Sequence, residues 1–358
     1  MTPLRVLIVD DSRIFRKSVE TALGRLDSVE VVGSVFNGRK ALEFLETHRV
    51  DLVTLDVQMP VLDGLDTLNE IRRRDRERGI KTGVVMLSAL SREGAPETIE
   101  ALARGAFDFL EKPTATSSER AIDALVDQLD RVIRALCSSD RISPTTGLVL
   151  KPPPAATSPP AGTLDAGSIT IAIGCSTGGP RALHAVLPAL CRPGLAPVLV
   201  VQHMPPGFTR SLAENLDRRC EGTVQEAREA MCVEPGHAYI APGGQHLLVR
   251  RDRTGLRLGL NEQPPEHGCR PCADVLFRSC ATACGARAVG VVLTGMGEDG
   301  TAGLRAMRRA GARILAQDKE TSVVWGMPGT AVKAGIVDEV VPLAQLPDAI
   351  ARLAGAAR

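Results

Sequence analysis

The sequence predicts two α/β domains, each built on a doubly wound parallel sheet, joined by a proline-rich linker. The chain has 358 residues, and at about 150 residues per domain this length suggests two domains. In each half, short apolar runs alternate with amphipathic stretches, the pattern of parallel strands connected by helices. Between the halves, residues 138–167 contain clustered prolines without periodicity, which favours an extended tether. We therefore predict domains at residues 1–137 and 168–358.

In the first half, apolar runs predict strands at Leu4–Val9, Val29–Val35, Leu52–Leu55, Val84–Leu87 and Ala106–Leu110. A closing amphipathic stretch at residues 119–136 predicts a helix that ends the domain. This order of elements predicts a sheet of flavodoxin-like strand order.

In the second half, further apolar runs predict strands at Ile169–Ile173, Pro197–Gln202, Ala288–Thr294 and Arg313–Ala316. A β-rich stretch with turn glycines, residues 236–260, interrupts the alternation of strands and helices. We therefore expect a second, Rossmann-like α/β domain.

The composition argues against several classes of function. Lys and Arg number 43 and Asp and Glu number 42, so the net charge of +1 does not favour nucleic acid or anionic membranes. No apolar run reaches the roughly 18 residues needed for membrane insertion. The first apolar run ends on Asp10 and Asp11, unlike a signal peptide. The nine cysteines are an odd number and cannot all form pairs. Because the sequence also shows no export signal, we expect a cytoplasmic protein with reduced thiols.

Four of the cysteines lie close together in the sequence. Cys269 and Cys272 form a C-x-x-C pair, and Cys280 and Cys284 follow at helical spacing. Four thiols of this kind fit a zinc site. We favour the interpretation that they are small buried hydrophobic residues on a helix, because cysteine packs well in protein cores.

Polar residues gather where the strands of the first half end. Asp10 and Asp11 end the first strand, Asp56 the third and Ser88 the fourth, while Lys112 follows the fifth. The carboxyl ends of parallel strands share one edge of a sheet, so these side chains should meet there. Clustered carboxylates need a cation such as Mg²⁺, and a lysine neutralises an incoming anion. The pattern predicts a phosphoryl-accepting pocket, although Asp10 or Asp11 alone would also fit a helix cap.

Lys112-Pro113 is a candidate for a cis peptide bond.

Three segments of the first half resemble the response-regulator receiver family over about residues 4–136. They are Val6–Ser12, Leu55–Gly64 and Gly105–Pro113. The resemblance implies that a histidine kinase phosphorylates Asp56. It also implies that Asp11, Asp56 and the Gln58 carbonyl hold Mg²⁺, with help from Asp10. Lys112 would pair with the phosphoryl oxygens. Ser88 and Phe109 would form the conformational switch.

A glycine-flanked serine follows the first strand of the second half. Residues 174–180 contain G-x-S-x-G around Ser176, a pattern that presents a serine hydroxyl on a tight strand-to-helix turn. Similar turns also bind phosphate, so the pattern alone leaves both interpretations open.

A nucleophilic serine needs a base and a carboxylate that orients the base. Of the six histidines, His203 is the one that directly follows a predicted strand, on the sheet edge that also carries Ser176. Asp299 follows another strand, with Glu298 as the competing carboxylate. The chain order Ser–His–Asp differs from that of α/β-hydrolases.

The segment around Asp299 also permits a different function. Gly295, Gly297 and Gly300 satisfy the dinucleotide fingerprint G-x-G-x-x-G after a strand, with Asp318 further on. However, Glu298 and Asp299 would repel a pyrophosphate, which weakens the case for an NAD-linked enzyme.

These segments together resemble the protein-glutamate methylesterase family of bacterial chemotaxis, the CheB proteins, over about residues 168–355. The matching segments are Gly174–Gly179, Gln202–Thr209, Tyr239–Gly244, Asp274–Phe277, Leu293–Gly300 and Trp325–Pro328. The resemblance implies that Ser176 is the nucleophile, His203 the general base and Asp299 its orienting carboxylate. It assigns the Met296 N–H as an oxyanion donor and no cofactor to the esterase.

The chain departs from the family pattern at three places. Cys175 stands where alanine is usual, and Glu298 where asparagine is common. The segment 269–272, Cys-Arg-Pro-Cys, stands where the family tends to have His-Arg-Pro-Ser. None of these changes removes a member of the expected triad.

The resemblance implies a phosphorylation-activated serine hydrolase that demethylates glutamate esters and deamidates glutamines on methyl-accepting chemoreceptors. Its partners would be those receptors and a chemotaxis histidine kinase, with no nucleic acid and no membrane insertion. We expect the unphosphorylated receiver domain to block the second domain. The alternative is a non-catalytic signalling adaptor that carries a receiver domain.

Overall fold

The computed structural model describes residues 3–89, 94–113, 119–138 and 169–356. These residues form two compact units, one before residue 139 and one after residue 168. Almost all of the predicted linker lies outside the described residues, so its extended conformation and the domain boundaries stay predictions.

The first unit is a five-stranded parallel sheet with the order β2-β1-β3-β4-β5, which is flavodoxin-like as predicted. Its strands are β1 (Leu4–Val9), β2 (Val29–Val35), β3 (Leu52–Asp56), β4 (Gly83–Ala89) and β5 (Asp108–Lys112). Its helices are α1 (Arg13–Leu23), α2 (Gly38–Thr47), α3 (Gly64–Arg78), α4 (Ala95–Ala103) and α5 (Glu119–Ser138).

Side-chain caps fix the starts of the first three helices of this unit. Ser12, Asn37 and Asp63 each accept a hydrogen bond from a backbone N–H in the first turn of α1, α2 and α3. Because these helices follow the carboxyl ends of strands, the caps hold the loops that form the ligand-binding edge.

The second unit is a seven-stranded sheet in which every pairing is parallel, with the order β14-β13-β12-β6-β7-β9-β8. Its strands are β6 (Thr170–Cys175), β7 (Val198–Gln202), β8 (Thr223–Glu226), β9 (His237–Ile240), β12 (Ala288–Val292), β13 (Arg313–Gln317) and β14 (Glu339–Val341). An antiparallel hairpin of β10 (His246–Asp252) and β11 (Gly255–Asn261) stands apart. The helices are α6 (Gly179–Leu190), α7 (Phe208–Asp217), α8 (Ala273–Cys284), α9 (Thr301–Arg309), α10 (Met327–Lys333) and α11 (Leu346–Ala356).

The strand order of the second unit reverses between β12 and β6. In open parallel sheets, ligands bind at the carboxyl ends of strands beside such a reversal. The strands β6, β7 and β12 are buried along their whole length, so their ends are held rigidly by the core. Cys280 and Cys284 belong to that hydrophobic core, in agreement with the favoured interpretation of these two cysteines.

Some sequence-based boundaries need correction. Strand β5 begins two residues later than predicted and includes Lys112. The short strands β8 and β14 were not predicted, because each has a single buried residue and no clear alternation. Lys112-Pro113 is not cis: among the described residues, the one cis peptide bond joins Arg270 and Pro271. No helix in the described part of the chain is long and apolar enough to cross a membrane.

Helices α8 and α9 pack so closely that one crossing position must be glycine. A methyl group added at Gly303 would lie 2.6 Å from the Phe277 Cβ atom and 2.7 Å from the Asp274 carbonyl oxygen. These contacts are too short for carbon, and one involves backbone that has little room to move.

We therefore expect Gly303→Ala to lower the free energy of unfolding of the second unit by about 2 kcal/mol, with overpacking outweighing the gain in helix propensity. Calorimetry of the full chain would show its transition at a lower temperature. The control Ala302→Ser, at an exposed position of the same helix, should leave the transition in place. An unchanged or higher transition temperature for Gly303→Ala would contradict this packing.

Candidate active site

Ser176 lies immediately after strand β6, on the turn that leads into helix α6. Its N–H donates to the Thr294 carbonyl over 3.0 Å, and its own carbonyl accepts from the Gly179 N–H over 2.7 Å. Gly178 adopts a φ of +80°, a conformation that glycine enters without strain. The tight turn leaves Ser176 partly exposed at the carboxyl edge of the sheet.

His203 follows strand β7, and its imidazole contacts Asp299. The His203 Nε2 atom lies 2.7 Å from the Asp299 Oδ2 atom. An ionised carboxylate only accepts, so Nε2 carries the hydrogen of this bond and Nδ1 is the nitrogen left for a nucleophile. No hydrogen bond joins the Ser176 hydroxyl to His203 among the described residues, and such bonds are often loose before substrate binds.

The Asp299 carboxylate is anchored on the N-terminus of helix α8. It accepts hydrogen bonds from the N–H groups of Ala273 (2.7 Å), Asp274 (2.9 Å) and Gly300 (2.7 Å), and from the Cys272 thiol (3.0 Å). Burial alone would raise the pKa of Asp299. Its hydrogen bonds, above all the one to His203, outweigh burial and hold that pKa well below its ordinary value. Asp299 is therefore a stable buried anion.

The same interaction controls the proton affinity of His203. Burial of the ring lowers the pKa of His203, but the hydrogen bond to Asp299 outweighs burial and raises that pKa above the ordinary value of a histidine. Asp299 thus strongly stabilises the protonated imidazole, which is the form that a general base takes after it accepts a proton.

Glu298, the competing carboxylate, does not contact His203. Its side chain is 69% exposed and lies 3.7 Å from the Nδ1 atom of His267. Of the two carboxylates left open by the sequence, the structure pairs Asp299 with His203.

The glycine-rich segment at residues 295–300 contacts the Asp299 carboxylate and the turn that carries Ser176. The Gly300 N–H, which a dinucleotide phosphate would need, donates to Asp299 instead. A methyl group at Gly295 would lie 2.9 Å from the Ser176 Cβ atom, so the segment packs directly against the serine. Met296 follows at the surface, with 36% of its area exposed. Its N–H as an oxyanion donor stays a prediction from the resemblance.

Gln202 is a buried residue of the site that sequence reasoning missed. Its side-chain NH₂ donates to the carbonyls of Ser176 (3.0 Å) and His203 (3.2 Å), while its oxygen accepts from the Cys175 thiol (3.1 Å). A methyl group at Gly179 would lie 1.9 Å from that oxygen. One amide thus ties the serine turn to the histidine loop. The sequence signal for this role was a polar residue at the end of an apolar run.

The first unit brings three of its predicted pocket residues into direct contact. The Lys112 Nζ atom lies 2.6 Å from Asp10 Oδ2 and 2.8 Å from Asp56 Oδ2. Oxygen atoms of Asp10, Asp11 and Asp56 all lie within 4.8 Å of one another. Burial raises the pKa of Asp56 to about 6; Lys112 opposes this rise, and the negative charges of Asp10 and Asp11 add to it. Three crowded carboxylates with one lysine fit an additional hard cation such as Mg²⁺.

The remaining predicted residues of this pocket lie around it. The Ser88 hydroxyl is turned toward helix α4, where it accepts from the Thr98 hydroxyl over 2.8 Å. Phe109 is half-buried in β5, and Gln58 is exposed two residues after Asp56, the last residue of β3.

Comparison with known proteins assigns a family to each unit. The family model described as CheB methylesterase matches residues 171–350, and the response regulator receiver domain model matches residues 6–123. A protein-glutamate methylesterase/protein-glutamine glutaminase of a Nocardioides species is 43% identical, with 99% of this chain and 96% of that protein aligned. The protein of the same name from Geobacillus kaustophilus is also 43% identical, with 99% and 100% aligned.

Among solved structures, the CheB methylesterase catalytic domain of Thermotoga maritima is similar to 53% of this chain. The match covers 98% of that domain at 40% sequence identity, with a TM-score of 0.50. The chain belongs to the CheB methylesterase family, with a response regulator receiver domain preceding the methylesterase domain.

Proposed function

We propose that this protein is a phosphorylation-activated serine hydrolase that removes methyl groups from glutamate methyl esters, and amide groups from glutamines, on chemoreceptors. The observation that carries the proposal is the 2.7 Å pair of His203 and the buried Asp299 anion, on the sheet edge that presents Ser176. This arrangement suits acyl transfer, because it holds an imidazole ready to accept a serine proton.

The reaction would proceed in two steps. The Ser176 oxygen attacks the side-chain carbonyl carbon while the Nδ1 atom of His203 takes the hydroxyl proton. His203 then gives that proton to the leaving group, which departs as methanol from an ester or ammonia from an amide. Water attacks the resulting acyl-enzyme with His203 again as base, which frees Ser176 and leaves a glutamate. The Met296 N–H would stabilise the oxyanion of each tetrahedral intermediate.

The receiver domain would control this reaction through Asp56. A histidine kinase supplies the phosphoryl group, Lys112 pairs with its oxygens, and Ser88 and Phe109 form the switch. Asp10, Asp11, Asp56 and the Gln58 carbonyl would hold Mg²⁺, which offsets charge during phosphoryl transfer. We infer that the unphosphorylated receiver blocks access to the serine. We propose no cofactor for the esterase itself.

We place the reaction in the cytoplasm, with methylated receptors as substrates and no nucleic acid partner. None of the nine cysteines, all within the described residues, forms a disulfide, which suits a reducing compartment.

The direct test is methanol release from methylated receptor membranes, with a small phosphodonor and Mg²⁺ present. We expect Ser176→Ala to reduce release by roughly a thousandfold or more, because no other group replaces the nucleophile. The control Ser211→Ala, a serine on helix α7, should release methanol at the wild-type rate. Release that survives in Ser176→Ala would refute the proposed chemistry, and no release from the wild type would favour the adaptor.

Control by phosphorylation predicts a separate result. We expect Asp56→Asn to abolish stimulation of methanol release by the phosphodonor while the basal rate remains, because an amide accepts no phosphoryl group. The control Asp66→Asn, in the first turn of helix α3, should retain stimulation. Stimulation that persists in Asp56→Asn would show that another residue is phosphorylated.

The amide of Gln202 yields a prediction about positioning. In Gln202→Glu, a carboxylate would face the carbonyls of Ser176 and His203 in place of an NH₂ group. We expect kcat for methanol release to fall about tenfold to a hundredfold with little change in KM, since misplacement affects the reacting groups more than binding. Gln225→Glu, on edge strand β8, is the control. A change in KM alone would contradict this role.

A further inference from the structure

Thr294 lies between strand β12 and the glycine-rich segment, and its side chain is enclosed by protein. The residue is 1% exposed. Its hydroxyl oxygen accepts a hydrogen bond from the Val324 N–H over 3.0 Å and lies 3.0 Å from the Thr177 carbonyl oxygen. The Val324 carbonyl, 3.2 Å away, already accepts from the Gly295 N–H. The single hydroxyl hydrogen is therefore best used at the Thr177 carbonyl.

The backbone of Thr294 also contacts the turn that carries the catalytic serine. Its carbonyl accepts from the Ser176 N–H over 3.0 Å, and its own N–H donates to the side-chain oxygen of Gln317 over 2.9 Å. Thr177, the partner of the hydroxyl, directly follows Ser176. One buried residue thus holds the serine turn through both its main chain and its side chain.

The three residues after Thr294, residues 295–297, form the donor loop, which carries the Met296 N–H. A backing segment, residues 324–327, lies against this loop. The Gly295 carbonyl accepts from the Gly326 N–H over 3.0 Å. A methyl group at Gly326 would lie 2.7 Å from that carbonyl oxygen and 3.1 Å from the Met296 Cα atom. The two segments are therefore packed backbone against backbone.

The donor loop is held firmly, yet its central N–H is free to bind a ligand. In the part of the chain that the structure describes, the Met296 N–H has no hydrogen-bond acceptor. The backing segment is anchored in turn, because the Trp325 indole N–H donates to the Gln317 carbonyl over 3.2 Å. Gln317 thus fixes both Thr294 and the backing segment.

We propose that Thr294 is a positioning residue that sets the distance between the Ser176 oxygen and the Met296 N–H. Its hydroxyl is the point where the serine turn and the backing segment of the donor loop meet. Without it, the Val324 N–H and the Thr177 carbonyl would each lose a buried partner. A shift of about 1 Å between the two segments would then remove much of the effect of an oxyanion donor. This role rests on the proposed function, which supplies the oxyanion.

The first test uses a fluorophosphonate probe, which reacts with an activated serine and needs no receptor. Mass spectrometry of the full chain gives the rate constant for labelling of Ser176, which is independent of the folded fraction, and the final extent, which reports that fraction. We expect Thr294→Ser to label within about threefold of the wild type, and Thr294→Val about tenfold to a hundredfold more slowly. Thr294→Cys, which has a weaker donor, should fall between them and replaces Thr294→Val if that variant does not fold.

The control Thr301→Val removes another buried threonine hydroxyl, one without a hydrogen-bond partner among the described residues. It should label at the wild-type rate. Equal rate constants for the three Thr294 variants, whether fast or slow, would overturn the role of the hydroxyl. A wild type that is not labelled at Ser176 would refute the proposed nucleophile and this role with it.

The second test measures methanol release by the same variants. Because positioning affects the reacting groups more than binding, kcat should fall in the order found for labelling while KM stays the same. A change in KM alone would contradict the role of Thr294. Graded labelling in a chain that releases no methanol would refute the proposed substrate and leave the role of Thr294 standing.

Discussion

The catalytic unit depends on one interaction, the hydrogen bond between His203 and the buried Asp299 carboxylate. A buried carboxylate is costly unless its oxygens are satisfied. Here the first N–H groups of helix α8, the Gly300 N–H and the Cys272 thiol all donate to it. The positive end of the helix dipole adds to this stabilisation. The close packing of α9 on α8 at Gly303 supports that helix end, so the packing between these two helices contributes to the electrostatics of the base.

The two units solve the same problem of buried carboxylates in opposite ways. In the catalytic unit, hydrogen bonds lower the pKa of Asp299 and leave it a permanent anion. In the receiver unit, burial and two neighbouring carboxylates raise the pKa of Asp56 to about 6 despite Lys112. The first arrangement needs nothing more to orient a histidine. The second is short of positive charge, which suits a pocket that awaits a cation and a phosphoryl group.

Sequence reasoning predicted the sheets and the strand-end residues because both follow from simple periodicity. Parallel strands place their carboxyl ends together, so Ser176, His203 and Asp299 could be assigned to one edge without coordinates. Spacing alone did not separate Asp299 from Glu298, and the family resemblance made that choice, because the difference depends on which carboxylate turns toward the start of helix α8. The role of Gln202 was missed for a related reason. It depends on the direction of a side chain at the end of strand β7, which spacing in the sequence does not encode.

The most direct test of this account is the titration of His203, followed by NMR on histidine-labelled protein. The wild type should show a His203 pKa above the ordinary value near 6.5, because the Asp299 anion stabilises the charged ring. In Asp299→Asn that anion is gone while burial still disfavours charge, so the pKa should fall toward or below the ordinary value. The resonances of His48, in the first unit, should be the same in both proteins. A His203 pKa near 6.5 in the wild type, or one that Asp299→Asn leaves unchanged, would contradict the central role of this pair.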